Sequence, residues 1–140
     1  MTRDLRRLRR LIDLRRRQEE QARVQLAQSL RKASELSDEV RARTEAFERA
    51  LEGDTAPRQR PHLEALLDFA EPALLAARAA EASALGAVEE VRREWNRAAV
   101  RLTGMERLEE RTVQERDQKI AEAERLEIED ATNRRGGDDS

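Results

Sequence analysis

Cysteine is absent from the sequence, aromatic residues make up 2%, and only three prolines and five glycines occur in 140 residues. Without cysteine there are no disulfides and no thiolate metal sites, and the redox compartment stays open. So few aromatics cannot fill a thick globular core. No apolar run approaches the ~20 residues that would span a bilayer. The basic N-terminus lacks the unbroken apolar stretch of a signal peptide, so a cytoplasmic location is expected.

Chemistry is sparse too. No GxxxxGK[ST] phosphate loop occurs. His62 is the lone histidine, so no serine has a histidine partner, and His62 is expected to have a surface or capping role. The many acids are interleaved with arginines and read as a solvated helix face. The expectation is a protein that is not an enzyme and that needs no metal or cofactor.

What remains is charge, leucine and alanine. Charged residues make up 41% of the chain, with a net charge of −2. Such a chain is either disordered or a long helical coil, and a sustained apolar repeat argues for the second. The charge is unevenly spread. Residues 1–17 hold eight arginines against Asp4 and Asp13, whereas residues 106–130 hold ten acids against five bases.

One internal stretch reads as a turn: GDTAPRQRP, Gly53 to Pro61. Gly53 can end a helix and Pro57 or Pro61 can begin one. In the segment before it, apolar residues recur in alternating steps of three and four: Leu5, Leu8, Ile12, Ala22, Leu26, Ala33, Leu36, Val40, Phe47 and Ala50. Arg15, Glu19, Ser29 and Arg43 are the polar exceptions. In the segment after it, the same stepping joins Leu63, Leu67, Ala70, Leu74, Ala77, Ala84, Val88, Val91, Trp95, Ala98, Leu102 and Met105, with Glu81 as exception. A seven-residue repeat over about six heptads is the mark of a coiled coil. An ordinary bundle would need more helices than two segments provide.

The predicted fold is therefore all-α: a long antiparallel two-helix coiled-coil hairpin with a C-terminal helical overhang, one domain over residues 1–140. Helix 1 is expected at about 3–52, the turn at 53–61, helix 2 at about 62–133 and a disordered tail at 134–140. Folding near residues 56–57 pairs Phe47 with Leu67, Val40 with Leu74, Leu26 with Val88 and Leu8 with Met105. Helix 1 then runs out near Met105 to Glu109. The rest of helix 2, to about Thr132, has no partner within the chain and should fray unless something docks, because lone helices of such length are marginal in water. Pro72 lies inside helix 2, where proline costs ~3 kcal/mol. The expectation is a kink near Asp68, the alternative a short separate helix over 61–70.

Two features suggest partners. The first is the arginine cluster of residues 3–17, which either faces the acids of helix 2 or contacts phosphates; no aromatic residues accompany it for reading bases. The second is a stripe outside the seam, Leu66, Phe69, Ala73 and Ala76, with Leu63, Leu75 and Ala80 nearby. It is either an exposed partner site or collapsed over Leu51 and Phe47.

Three segments carry a family resemblance. LRRLIDLRRRQEEQARVQLAQ, Leu8 to Gln28, resembles the opening Leu-x-x-Leu-x-Asp-Leu stretch of the FliJ family, the stalk proteins of flagellar type III export and their injectisome relatives. Trp95, Arg101, Leu102, Leu108 and Arg111 match the spacing of that family's Trp…Arg-Leu…Leu…Arg run. Ile128-Glu129-Asp130 is similar to its closing apolar-acid-acid triplet. The resemblance covers most of both helices but not the turn.

It implies an antiparallel coiled coil similar to the stalk of rotary ATPases, acting without catalysis at the cytoplasmic face of a protein export apparatus that serves motility or secretion. The implied partners are a hexameric export ATPase, the membrane export gate protein and export chaperones. The stalk would be a monomer, peripheral to the membrane and not inserted, with no nucleic acid expected. The ATPase end would hold Arg6, Arg7, Arg10, Arg111, Ile128, Glu129 and Asp130. Leu66, Phe69, Ala73 and Ala76 would serve the gate or another partner, although only Ala73 matches the family's gate pattern when counted from Trp95. Two other classes compete: a generic coiled-coil adaptor or chaperone that dimerises through the overhang, and an arginine-rich hairpin associated with nucleic acid.

Overall fold

Side chains at steps of three and four fall on one side of a helix, and that spacing organises both elements of the chain. The computed structural model describes residues 2–52 and 60–138. They form two α-helices, α1 (Thr2–Glu52) and α2 (Arg60–Asp138), which pack against each other as an all-α helical hairpin. The predicted turn falls mostly on 53–59, outside the described residues. Its last two positions, Arg60 and Pro61, already belong to α2. There Pro61 lies in the first turn, where a missing N–H leaves no helical bond unmade.

Contacts divide the chain into two units: Met1–Gln18 with Ala99–Ser140, and Glu19–Ala98. Each takes a segment from both helices. In the second unit, Ala33, Ala84 and Val88 form a buried cluster, with Leu26 and Leu36 packed against it. Leu26 thus meets the layer of Val88, as folding about residues 56–57 requires. Leu74 and Ala22 are also buried, and Val40, Phe47, Leu67, Val91 and Trp95 are half-buried. Alanine at so many seam positions lets the helices approach closely but removes little apolar surface from water.

The first unit is built the same way. Leu5 and Ile12 are buried, and Leu8, Leu102 and Met105 are half-buried. Arg9 lies 3.9 Å from Glu109 and Arg16 lies 3.6 Å from Glu106. Numbers rise along α1 as they fall along α2, so the pairing is antiparallel.

Four expectations need correction. The covered stripe of α2 does not stop at Met105. It continues in register through half-buried Glu109, Thr112 and Arg116. Polar side chains occupy these positions, covering the methylenes of Glu109 and Arg116 and the methyl of Thr112, which is why apolar counting missed them. Only from Asp117 to Gly136 is every side chain exposed. Second, Arg43 is exposed and Thr44 is half-buried in its place. The Arg43 guanidinium turns back to Glu39, with hydrogen bonds of 3.2 and 3.0 Å, and the Thr44 hydroxyl donates to the Val40 carbonyl at 2.8 Å. Third, the alternative at Pro72 falls while the expected kink is not contradicted: α2 continues through Pro72 without a break, so there is no separate short helix. Proline removes one hydrogen bond, and both Pro72 and Asp68, whose carbonyl loses its donor, are exposed to water. Fourth, α2 reaches Asp138 rather than ending near 133; of the predicted tail, 139–140 lie outside the described residues.

Candidate partner-binding surfaces

Amphipathic helices that give one face to a seam leave the other for partners. The described residues carry three notable features: a basic groove, an apolar groove and a polar link inside the seam. No group of histidine, cysteine and carboxylate side chains among them is placed to hold a metal ion. Among the described residues no helix is long and apolar enough to cross a membrane.

The basic groove lies in the first unit. Arg6, Arg7 and Arg10 line it together with Arg3, which sequence reasoning counted in the cluster but left out of the site. The spacing of three, four and seven residues puts all four on neighbouring turns of α1. Among the described residues, acids of α2 pair only with the other flank, through Arg9 and Arg16. The first of the two expectations thus holds for one flank of the cluster, which faces acids of its own chain. Arg111 is exposed on α2 but does not line the groove, and Ile128, Glu129 and Asp130 are exposed beyond the last covered position. The seven residues assigned to the ATPase end thus share a unit without forming one patch.

The apolar groove lies in the second unit, with a volume of about 290 Å³. Phe47, Ala50 and Ala46 of α1 and Leu66, Leu67, Phe69, Ala70 and Ala73 of α2 line it, with Arg43 at its edge. Phe69 is 79% exposed, Leu66 is exposed and Leu51 is 52% exposed. Among the described residues nothing collapses over the stripe, although Ala73 is half-buried. Ala76 is exposed and does not line the groove. The α1 side of the groove was not legible as a site, because Phe47 and Ala50 count as seam residues in the heptad.

The polar link is the pair Trp95 and Glu19. Glu19 is the one buried charged residue among those described. Its Oε1 accepts from the Trp95 indole N–H at 3.0 Å and from Arg23 Nη2 at 2.7 Å. These two hydrogen bonds, the Trp95 one first, hold the carboxyl below its ordinary range, with help from the Arg23 charge and against the effect of burial. The acid would otherwise be costly in a seam. Here both helices contribute to its solvation, and a carboxylate in hydrogen-bonding reach of the indole marks the register. Arg15, another seam exception, bonds Gln18 at 3.0 Å through Nη1, while its Nε is buried without a partner.

No family model, curated protein or solved structure matches the chain.

Proposed function

We propose that the chain is a non-catalytic stalk of a type III protein export apparatus, linking a hexameric export ATPase to the membrane export gate at the cytoplasmic face. The observation that carries this reading is the hairpin with unequally covered arms. α2 continues fully exposed from Asp117 to Gly136, beyond its last covered position, in the unit that also holds Arg6, Arg7 and Arg10. A lone exposed helix gains little from its own charge pairs and is well suited to insert into a ring. The resemblance of the Leu8–Gln28 segment, the Trp95–Arg111 run and the Ile128–Asp130 triplet to the FliJ family supports the same reading.

In this role the ring contacts Arg6, Arg7, Arg10, Arg111, Ile128, Glu129 and Asp130. Leu66, Phe69, Ala73 and Ala76, in the other unit, are left for the gate or an export chaperone. The stalk contributes no reacting group; it acts through differential contacts with the states of the ring. The test is ATP hydrolysis by the cognate export ATPase with and without the chain. The reading expects stimulation and a complex recovered by pull-down. Unchanged hydrolysis together with no complex overturns it.

A further inference from the structure

The first turns of α1 bury Leu5 and Ile12 against α2 and turn a second, basic face outward. Arg3, Arg6, Arg7 and Arg10 line one groove on that face. Among the described residues no carboxylate lies within 4 Å of any of them, whereas Arg9 and Arg16 on the adjacent flank are drawn to Glu109 and Glu106. Four guanidinium groups on neighbouring turns, with Asp4 the one acid among them, form a local positive field in a chain whose net charge is −2.

The same face carries apolar side chains. Leu11 follows Arg7 by one turn and is 45% exposed; Leu14 follows Arg10 by one turn and is 48% exposed. Exposed Arg17 continues the face beyond Leu14. Arginines mixed with half-exposed leucines fit a surface that is anionic on the outside and apolar just beneath. That is the boundary of an anionic phospholipid layer. A nucleic acid fits less well. α1 has no aromatic residue before Phe47, so this stretch of the helix lacks the aromatic platforms on which successive bases stack, and a phosphate backbone gives the leucines nothing to bury against.

We infer that the outward face of α1 at Arg3, Arg6, Arg7, Arg10, Leu11 and Leu14 docks on anionic phospholipid membranes. The guanidinium groups pair with lipid phosphates and the two leucines enter the headgroup–acyl boundary. α1 stays packed on α2 and lies in the plane of the surface without crossing it. This inference goes beyond the export reading and does not rest on it; ring and lipid draw on Arg6, Arg7 and Arg10 at different times, not together.

The test is co-sedimentation of the full chain with vesicles of mixed phosphatidylglycerol and phosphatidylcholine, and with vesicles of phosphatidylcholine alone. The expected result is binding to the first only, weakening as salt rises. Each neutralised arginine lowers the partition constant about fivefold, so the triple variant R6Q/R7Q/R10Q loses about a hundredfold. The pair L11S/L14S also weakens binding, while its salt dependence stays that of the unmodified chain. All five side chains are exposed, and an unchanged helical circular dichroism signal verifies folding of each variant. No binding to either vesicle, or equal binding to both, overturns the inference. So does tighter binding to a single-stranded RNA oligonucleotide that is indifferent to the leucine changes. ATP hydrolysis measured without vesicles tests the export reading separately.

Discussion

The indole N–H of Trp95 donates a 3.0 Å hydrogen bond to Oε1 of Glu19, 76 residues earlier in the chain. Among the described residues it is the one side-chain hydrogen bond between the helices, and it joins the chain's only tryptophan to the one acid that is buried there. A heptad repeat defines a face but tolerates a slip by a whole layer. A directed bond between two unlike side chains does not, because a slip separates donor from acceptor and leaves a buried carboxylate with one partner fewer.

The first prediction follows from the direction of the Glu19 shift. A carboxyl whose folded pKa is depressed adds stability that is present above its unfolded pKa and is lost as the pH falls through the folded value. The unmodified chain should therefore lose more stability than Glu19→Gln between neutral and acid pH. Urea titrations at several pH values measure the difference, and parallel pH profiles for the two chains would remove the account. At neutral pH, Glu19→Ala should cost about 1–3 kcal/mol, since it leaves the indole N–H without its acceptor.

Trp95→Ala is the second. Full burial of a large aromatic gives a loss of about 3–5 kcal/mol on truncation. Trp95 is half-buried at a seam of small residues, so a loss of about 2 kcal/mol is expected. Trp95→Phe keeps most of the ring and removes the donor, so combining it with Glu19→Ala, which removes the acceptor, in a double-mutant cycle isolates the hydrogen bond, with a coupling of about 1 kcal/mol. Because Trp95 is the only tryptophan, its fluorescence should lie between the buried and fully hydrated extremes.

Much of this arrangement was legible in the sequence, and the residues that were not share a cause. Leu26 with Val88 follows from the turn position and the heptad alone, because branched apolar side chains have one low-energy place to go. Glu19 and Arg43 looked alike as polar interruptions of the stripe. Their fates differ because of neighbours: Glu19 has Trp95 across the seam, whereas Arg43 has Glu39 one turn back on its own helix and swings out to it. Glu109, Thr112 and Arg116 were invisible as seam residues because apolar pattern reading assigns polar side chains to water. The residues assigned to an ATPase end could be placed on their helices, but their distribution over separate faces could not, since charge counting carries no direction.

A third prediction concerns Gly86 and Gly104, both inside α2. A Cβ added at either meets nothing within 4 Å, so there is no steric penalty. Glycine costs a helix interior about 1 kcal/mol relative to alanine. Gly86→Ala and Gly104→Ala should each raise stability by about 0.5–1 kcal/mol, seen as a higher urea midpoint with an unchanged slope. A loss of stability at either site would mean that a backbone or partner approaches there.

The ion pairs between the helices should contribute far less. Arg9 with Glu109 and Arg16 with Glu106 are separated by 3.9 and 3.6 Å and are largely open to solvent. Exposed pairs of this kind add roughly 0.2–1 kcal/mol at low salt and are screened as salt rises. Glu106→Gln should shift the urea midpoint slightly in dilute buffer and not at high salt. An effect that persists in high salt would mean that Glu106 acts through packing instead.

The exposed end of α2 gives the sharpest contrast between stability and function. No side chain from Asp117 to Gly136 is covered, so a chain ending at Arg116 forfeits helix but almost no burial. Its far-UV circular dichroism should fall in proportion to the helix removed, while its melting temperature moves by less than about 3 °C. If the end of α2 is the segment that enters an ATPase ring, the same truncation should abolish stimulation of ATP hydrolysis, because Ile128, Glu129 and Asp130 leave with it. A melting temperature that drops steeply on truncation would show that this end is covered in solution, and the stalk reading would then need another segment to reach the ring.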